Sequence, residues 1–274
     1  MKSIVALSLA AVLLAGVARA QAPLQVQPVD ALPKDAATLP IHVGGRVLHQ
    51  QAALWRQWPG TYFETAFRGT EALFRVGTGD VILKVSVDGG APVALVKPAP
   101  GVYRVGGLAA GDHQLRIDIA SESQAAPTGF EGFYAPDGTT GRALTPRAHQ
   151  IEFIGDSHTV GYGNTSPTRK CTDAEIWSTT DTSQGLPPRL ARRFDADYAV
   201  NAISGRGIVR NYNGFAADTL PQGLSLHPVR PRNPAHRCRL ASAGDRHRPG
   251  HQRLYHPPEP GGEVEDPRRP ARGL

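Results

Sequence analysis

HQIEFIGDS, His149 to Ser157, is a mostly apolar run that ends in a Gly-Asp-Ser turn. That is the pattern of a strand buried inside a parallel sheet, delivering a residue at its carboxyl end. Farther on, QGLPPRLARRFDADYAVNAISG (Gln184–Gly205) reads as a helix of about ten residues followed by a second buried strand, YAVNAIS. The helix would turn Leu186 and Leu190 to one side, with Phe194 nearby. Strand, helix and strand with glycine turns make an α/β unit around a parallel sheet. Ligands of such sheets bind beyond the carboxyl ends of the strands, where Ser157 and Gly205 both fall.

Upstream the period changes. From His42 to about Glu131 the chain is a series of short alternating runs: ALFRVG, VILKVSVDGG, PVALVK, GVYRVGGL and HQLRIDIA. Turn signals such as Asp88-Gly89-Gly90 and Gly111-Asp112 separate them. Period-two alternation with regular turns predicts an antiparallel β-sandwich over 21–145, behind a Pro- and Ala-containing lead-in at 21–40.

The ends of the chain differ from this middle. Residues 1–20 have a basic start at Lys2, an apolar run from Ile4 to Leu14 and small residues at Ala18 and Ala20, the layout of a secretory signal peptide. The apolar run is short for a bilayer span, so the expectation is a secreted or periplasmic protein with no membrane attachment after cleavage. The net charge of +6 is local: ten Arg against five acidic residues at 223–274 carry +5, and Lys2 and Arg19 add +2. Residues 21–222 are thus left at −1, which removes the case for a nucleic-acid binder. With two cysteines, Cys171 and Cys238, the chain is no disulfide scaffold.

A Gly-Asp-Ser turn alone is weak, because these are common loop residues. Its partner strengthens it: NAISGRGIVRNYNG (Asn201–Gly214) brings a second strand end, at Ser204-Gly205, to the same crevice. Acyl transfer needs such a pair, a serine hydroxyl to attack a carbonyl and fixed backbone N–H groups to stabilise the oxyanion. Glycine leaves the backbone open to a substrate there.

FIGDSHTVGYGN (Phe153–Asn164) and NAISGRGIVRNYNG resemble the first two conserved blocks of the SGNH (GDSL-type) hydrolases. Together with GTYFETAFRGTEALFRV (Gly60–Val76) and GFEGFY (Gly129–Tyr134), they are similar to carbohydrate esterase family two, over about Gly45 to Gly214. The resemblance implies an N-terminal all-β jelly-roll sandwich, then an α/β domain of SGNH, flavodoxin-like three-layer form. It implies a monomeric, metal-free and cofactor-free serine esterase that removes acetyl groups from xylan or related polysaccharide. Ser157 would be the nucleophile, the amides of Ser157 and Gly205 oxyanion donors, and Asp156 a support that fixes the turn. The family's G-x-N-D block and D-x-x-H base are both missing from the chain, so the α/β domain at 146–222 is expected to be incomplete and its activity largely lost. His158 adjoins Ser157, but neighbours at a strand-to-helix turn diverge, so it is expected to meet solvent or packing. The other reading is a carbohydrate-binding sandwich without catalysis, with Trp55 and Trp58 as sugar platforms, although burial is the commoner fate of Trp.

The tail explains the missing G-x-N-D block. Back-translated and read one base later, Gly250–Pro257 permits G-T-N-D-F-T-T. The same offset permits V-I-V-I-A-L-G at Gly244–Gly250, P-L-N-P-G-E-K-W at Pro257–Glu265 and A-Y-P-Y-T at Gly223–His227. A strand, a G-x-N-D block and a tryptophan segment return in the order the resemblance requires. Residues 223–274 therefore read as an out-of-frame translation running to an early stop, rich in Arg, Pro and His for that reason and without a fold of their own. The plainer alternative, a disordered basic tail, predicts no hidden pattern.

Overall fold

The computed structural model describes residues 23–124 and 126–224. The signal-peptide reading and nearly all of the out-of-frame tail lie outside them. Two antiparallel sheets form the first region. One runs in the order Gln25–Val29, Gly101–Gly106, Ala72–Val76, Thr128–Ala135, Ala53–Arg56 and Leu48–Gln50, with Ala37–Thr38 also on Thr128–Ala135. The other runs Thr140–Arg142, Tyr62–Gly69, Gly111–Ile119, Ile82–Val87 and Val93–Val96, with His42–Gly44 also on Tyr62–Gly69. The alternating runs are the strands, as their pattern predicts. The lead-in contributes more than its composition suggests, since Gln25–Val29 pairs in register with Gly101–Gly106 at the sheet's edge. Its mostly exposed side chains and Pro28 suit an edge strand, which hides no alternation to read.

The inner faces share one core. Phe63, Phe67, Phe74, Leu115, Ile117, Phe130 and Phe133 are all buried, and Phe63 stacks on Phe130 with centroids 4.1 Å apart. Each such side chain contributes about 1.5–3 kcal/mol by leaving water. Tyr62–Gly69 is buried on both faces. Phe63 and Phe67 point into the sandwich core, while Tyr62 joins a second cluster outside it.

That second cluster is the α/β region. His149–Gly155 and Ala196–Ala202 pair in parallel, with Ile151 opposite Tyr198 and Phe153 opposite Val200. Short helices at Ser157–Val160, Asp173–Thr179 and Leu186–Arg193 connect them. Two expectations are corrected here. The connecting helix buries Pro187, Pro188 and Ala191 and leaves Leu186 and Phe194 exposed, the reverse of the face expected. The helix enters on Pro187-Pro188, and its small Ala191 lets it lie close to the strands.

An incomplete sheet would also leave the apolar faces of Ile151, Phe153, Val200 and Ile203 uncovered; Ile151 and Phe153 are instead half-buried, and Val200 and Ile203 are buried, 1% and 7% exposed. Val200 packs with Tyr62, Val160 and Ala191, and Ile203 packs with Trp58 and Leu220 of the helix Leu220–Leu224. The sandwich supplies the cover. Its backbone presses on the pair at Gly60, φ +66°, where a Cβ would sit 2.8 Å from Thr182 Cγ2 and 2.9 Å from Val200 Cγ2. The open side of the pair shows instead at Ile154, 57% exposed.

Polar groups bind the seam as well. Arg147 donates to both carboxylate oxygens of Glu64 at 2.8 and 2.6 Å and to Asp197 Oδ1 at 2.7 Å. Arg116 donates to Glu64 at 2.6 Å and to the Tyr198 hydroxyl at 2.9 Å, and its guanidinium lies 3.8 Å from the Tyr62 ring centroid. The Tyr62 hydroxyl donates to Asp197 at 2.6 Å.

Candidate active site

Ser157 begins the four-residue helix directly after His149–Gly155. The turn is tight: a Cβ on Gly155 would lie 2.0 Å from Thr159 Oγ1. Asp156 is the N-cap, its side chain accepting from the His158 N–H at 3.0 Å, so it fixes the first turn around Ser157. The loop behind is fastened in turn. Asn164 donates to the Asp181 carbonyl at 2.9 Å and accepts from its N–H at 2.8 Å.

Gly205 follows Ala196–Ala202, its φ at +79°, where a Cβ would also meet the Phe215 ring at 3.1 Å. Its carbonyl accepts from the Tyr212 N–H at 2.9 Å. Asn211 shapes the loop beyond, accepting from Gly207 N–H at 3.2 Å and donating to the Ala217 carbonyl at 2.7 Å.

Ser157, Asp156 and Gly205 line one open cavity of about 520 Å³, together with Gln124, Tyr162, Ser204, Arg206, Gly207 and Tyr212. The structure thus brings the three sequence-selected residues into one crevice at the carboxyl ends of the parallel strands. His158 faces a separate hollow beside Asn164, Gln184 and Arg189. No histidine among the described residues lines the Ser157 cavity. His42 and His113 are held elsewhere, the first by Asp197 at 2.9 Å and the second by Asp88 at 2.7 Å.

Several residues in or behind this wall were not singled out from the sequence. Tyr162 and Tyr212, 48% and 72% exposed, belong to the two quoted blocks and could have been found there. Glu122 and Gln124 had no such signal, because they act across 82 and 80 residues of chain. Burial raises the Glu122 carboxyl above its ordinary range, although hydrogen bonds from Ser204 and Gln124 oppose this. Of the two tryptophans offered as sugar platforms, Trp58 is closed off, 1% exposed under Arg46 at 5.0 Å, and Trp55 is partly exposed beside Gly129.

Comparison with known proteins sets this architecture among the carbohydrate esterases. Residues 43–155 match the family model described as Carbohydrate esterase 2 N-terminal. An acetylxylan esterase / glucomannan deacetylase from Cellvibrio japonicus is 46% identical over 201 residues, which make up 72% of this chain and 55% of that protein. A solved carbohydrate esterase, whose active site is described as having divergent catalytic and non-catalytic binding functions, superposes at 41% identity and a TM-score of 0.66. That match covers 73% of this chain and 60% of the other. A family two carbohydrate esterase from Clostridium thermocellum, solved with cellohexaose, matches at 26% identity and a TM-score of 0.61, over 68% of this chain and 58% of its own. Residues 43–155 thus match the N-terminal domain model of carbohydrate esterase family two, and the chain spans about half the length of the Cellvibrio relative.

Proposed function

We propose that this chain descends from a secreted, monomeric serine esterase that removes acetyl groups from xylan or a related polysaccharide. The observation that carries the reading is the shared cavity, in which Ser157 and Gly205 arrive on two adjacent parallel strand ends. Ser157 Oγ adds to the acetyl carbonyl, and the carbonyl π electrons move onto oxygen. The amides of Ser157 and Gly205 receive that charge. The C–O bond to the sugar then breaks, the sugar oxygen takes a proton, and water cleaves the acyl-enzyme to release acetate.

The Ser157 proton needs a base. The G-x-N-D block expected to supply the third oxyanion donor appears only in the displaced reading of 223–274, and the D-x-x-H motif expected to supply the base is missing from the chain. The chain as written is therefore a poor esterase, and its rate should fall by about three to six orders of magnitude from that of an intact triad enzyme. Release of acetate from acetylated xylan by the chain, by Ser157→Ala and by a gene restored in frame near codons 222–223 tests this. A chain as fast as the restored protein, or a restored protein that loses nothing on Ser157→Ala, overturns it. Resequencing the codons for Thr219 to Leu226 tests the shift itself.

A second reading, carbohydrate binding without hydrolysis, has one observation in its favour. Tyr162 and Tyr212 stand exposed in the wall of the same cavity, where an aromatic face can stack on a sugar ring. Retardation of the chain in a xylan-containing gel, lost in Tyr212→Ala and kept in Ser157→Ala, supports it. Equal mobility with and without xylan removes it.

A further inference from the structure

Ser204 and Gly205 share one peptide plane. In a trans peptide the carbonyl and the N–H point in opposite directions, so whatever holds the Ser204 carbonyl also aims the Gly205 N–H. The Ser204 carbonyl accepts from Gln124 Nε2 at 3.2 Å. One residue back, the Ser204 N–H donates to Glu122 Oε1 at 2.7 Å, a charge-assisted bond. Gln124 Nε2 donates to the same Glu122 oxygen at 3.2 Å, which ties the two grips together.

The gripping loop comes from the β-sandwich and is itself fastened. Ser123 Oγ donates to the Asp80 carbonyl at 3.0 Å, Gln57 Nε2 to the Gln124 carbonyl at 2.9 Å, and Trp177 Nε1 to the Glu122 carbonyl at 3.2 Å. The first two come from the sandwich and the third from the α/β region. The loop is thus tied by three hydrogen bonds where it touches Ser204, and Gln124 also reaches the wall of the Ser157 cavity.

We propose that Glu122 and Gln124 are positioning residues for ester cleavage: from the β-sandwich, they clamp Ser204 on both sides and so aim the Gly205 N–H as an oxyanion donor. This rests on the reading of Gly205 given above. The sandwich is then part of the catalytic apparatus, although it carries no reacting group.

The test is the phosphonylation of Ser157 by a p-nitrophenyl alkylphosphonate, followed by mass and by p-nitrophenolate release. Ser157 Oγ forms a bond to phosphorus, the P–O bond to the aryl group breaks, the nitrophenolate leaves and the serine proton passes to solvent. The phosphoryl oxygen develops charge where the ester oxyanion would. Gln124→Met, which keeps bulk and removes the donor, should slow the limiting labelling rate about tenfold, a fraction of the loss when a donor is deleted outright. The half-saturating reagent concentration and the melting temperature should hold. Glu122→Ala should slow it similarly, and Glu122→Gln, which still accepts from Ser204, should stay within about threefold of the parent.

Equal labelling rates in folded Gln124→Met and parent overturn the proposal, as does a loss that appears only as weaker reagent binding. Amide hydrogen exchange keeps it decidable if Glu122→Ala folds poorly or if Ser157 of the parent is labelled no faster than background. The latter result is what a serine without its base predicts, and it bears on the reactivity of Ser157, not on the clamp. The clamp still predicts faster exchange at the Ser204 N–H in Gln124→Met, by about tenfold, and unchanged exchange overturns it.

Discussion

The β-sandwich and the parallel pair bury their apolar residues by different means. In the sandwich, most neighbouring strands come from distant parts of the sequence, and its two inner faces close on each other around Phe63, Phe74 and Phe130. The parallel pair has two strands, and much of its cover is borrowed from Tyr62 and Trp58, residues of the sandwich. The first region closes its own core; the second takes part of its cover from the first. Between them runs a seam of paired charges around Glu64.

Four measurements would break or sharpen that contrast. The largest effect should come from Phe63→Ala, which opens a cavity in the sandwich core at a cost of about 4 kcal/mol. Both regions should lose their structure together in urea. Survival of the parallel pair, read by amide exchange at Ala196–Ala202, would show that it stands unaided.

Next is Glu64→Ala, which leaves the half-buried Arg116 and Arg147 without their shared carboxylate though each keeps an aspartate, at a cost of about 2 kcal/mol. Exchange should rise in Ala196–Ala202 before it rises in Ala72–Val76. The opposite order would place the seam within the sandwich's own folding.

The third concerns pH. Burial alone would raise the carboxyls of Glu64 and Asp197, but Arg147 and Arg116 on Glu64, and His42, Tyr62 and Arg147 on Asp197, more than offset it and hold both below the ordinary range. A depressed carboxyl stabilises the fold above its unfolded value and loses that contribution as pH falls toward the folded one. Thermal stability should therefore drop between about pH 5 and pH 3, and the drop should shrink in the Glu64→Gln, Asp197→Asn double variant. Glu122 has the opposite sign. Its raised carboxyl contributes at acid pH and loses that as pH rises through the folded value, so Glu122→Gln should gain on its parent toward neutral pH. A parallel loss on acidification in every variant would move the acid sensitivity elsewhere.

The smallest effect should come from Ile154→Thr on the open side of the pair, within about 0.5 kcal/mol by urea midpoint. A loss of several times that would mean this face is packed.

The features legible in the sequence were those written locally. Alternation over Ile82–Val87 and Gly111–Ile119 named strands, because each strand hides one face in the core. Gly155, Asp156, Ser157 and Gly205 were legible because strand-end turns demand particular residue types. Long-range contacts were not. Nothing near Val200 or Ile203 announces that Tyr62 and Trp58 will cover them, and nothing near Ser204 announces Glu122. The buried face of Leu186–Arg193 misled for the same reason, since the choice of Ala191 over Leu186 is made by the strands it lies on.

Gly60 shows what the seam means for descent. Its missing Cβ leaves the gap into which Thr182 and Val200 fit, so a residue of one half is matched to two residues of the other. Genetic recombination that joined this sandwich to a foreign catalytic half would bring two unrelated surfaces to that gap. Modules that trade partners freely keep their borders loose and hydrated. Here the border is steric, and the two halves are bound to be inherited as a pair.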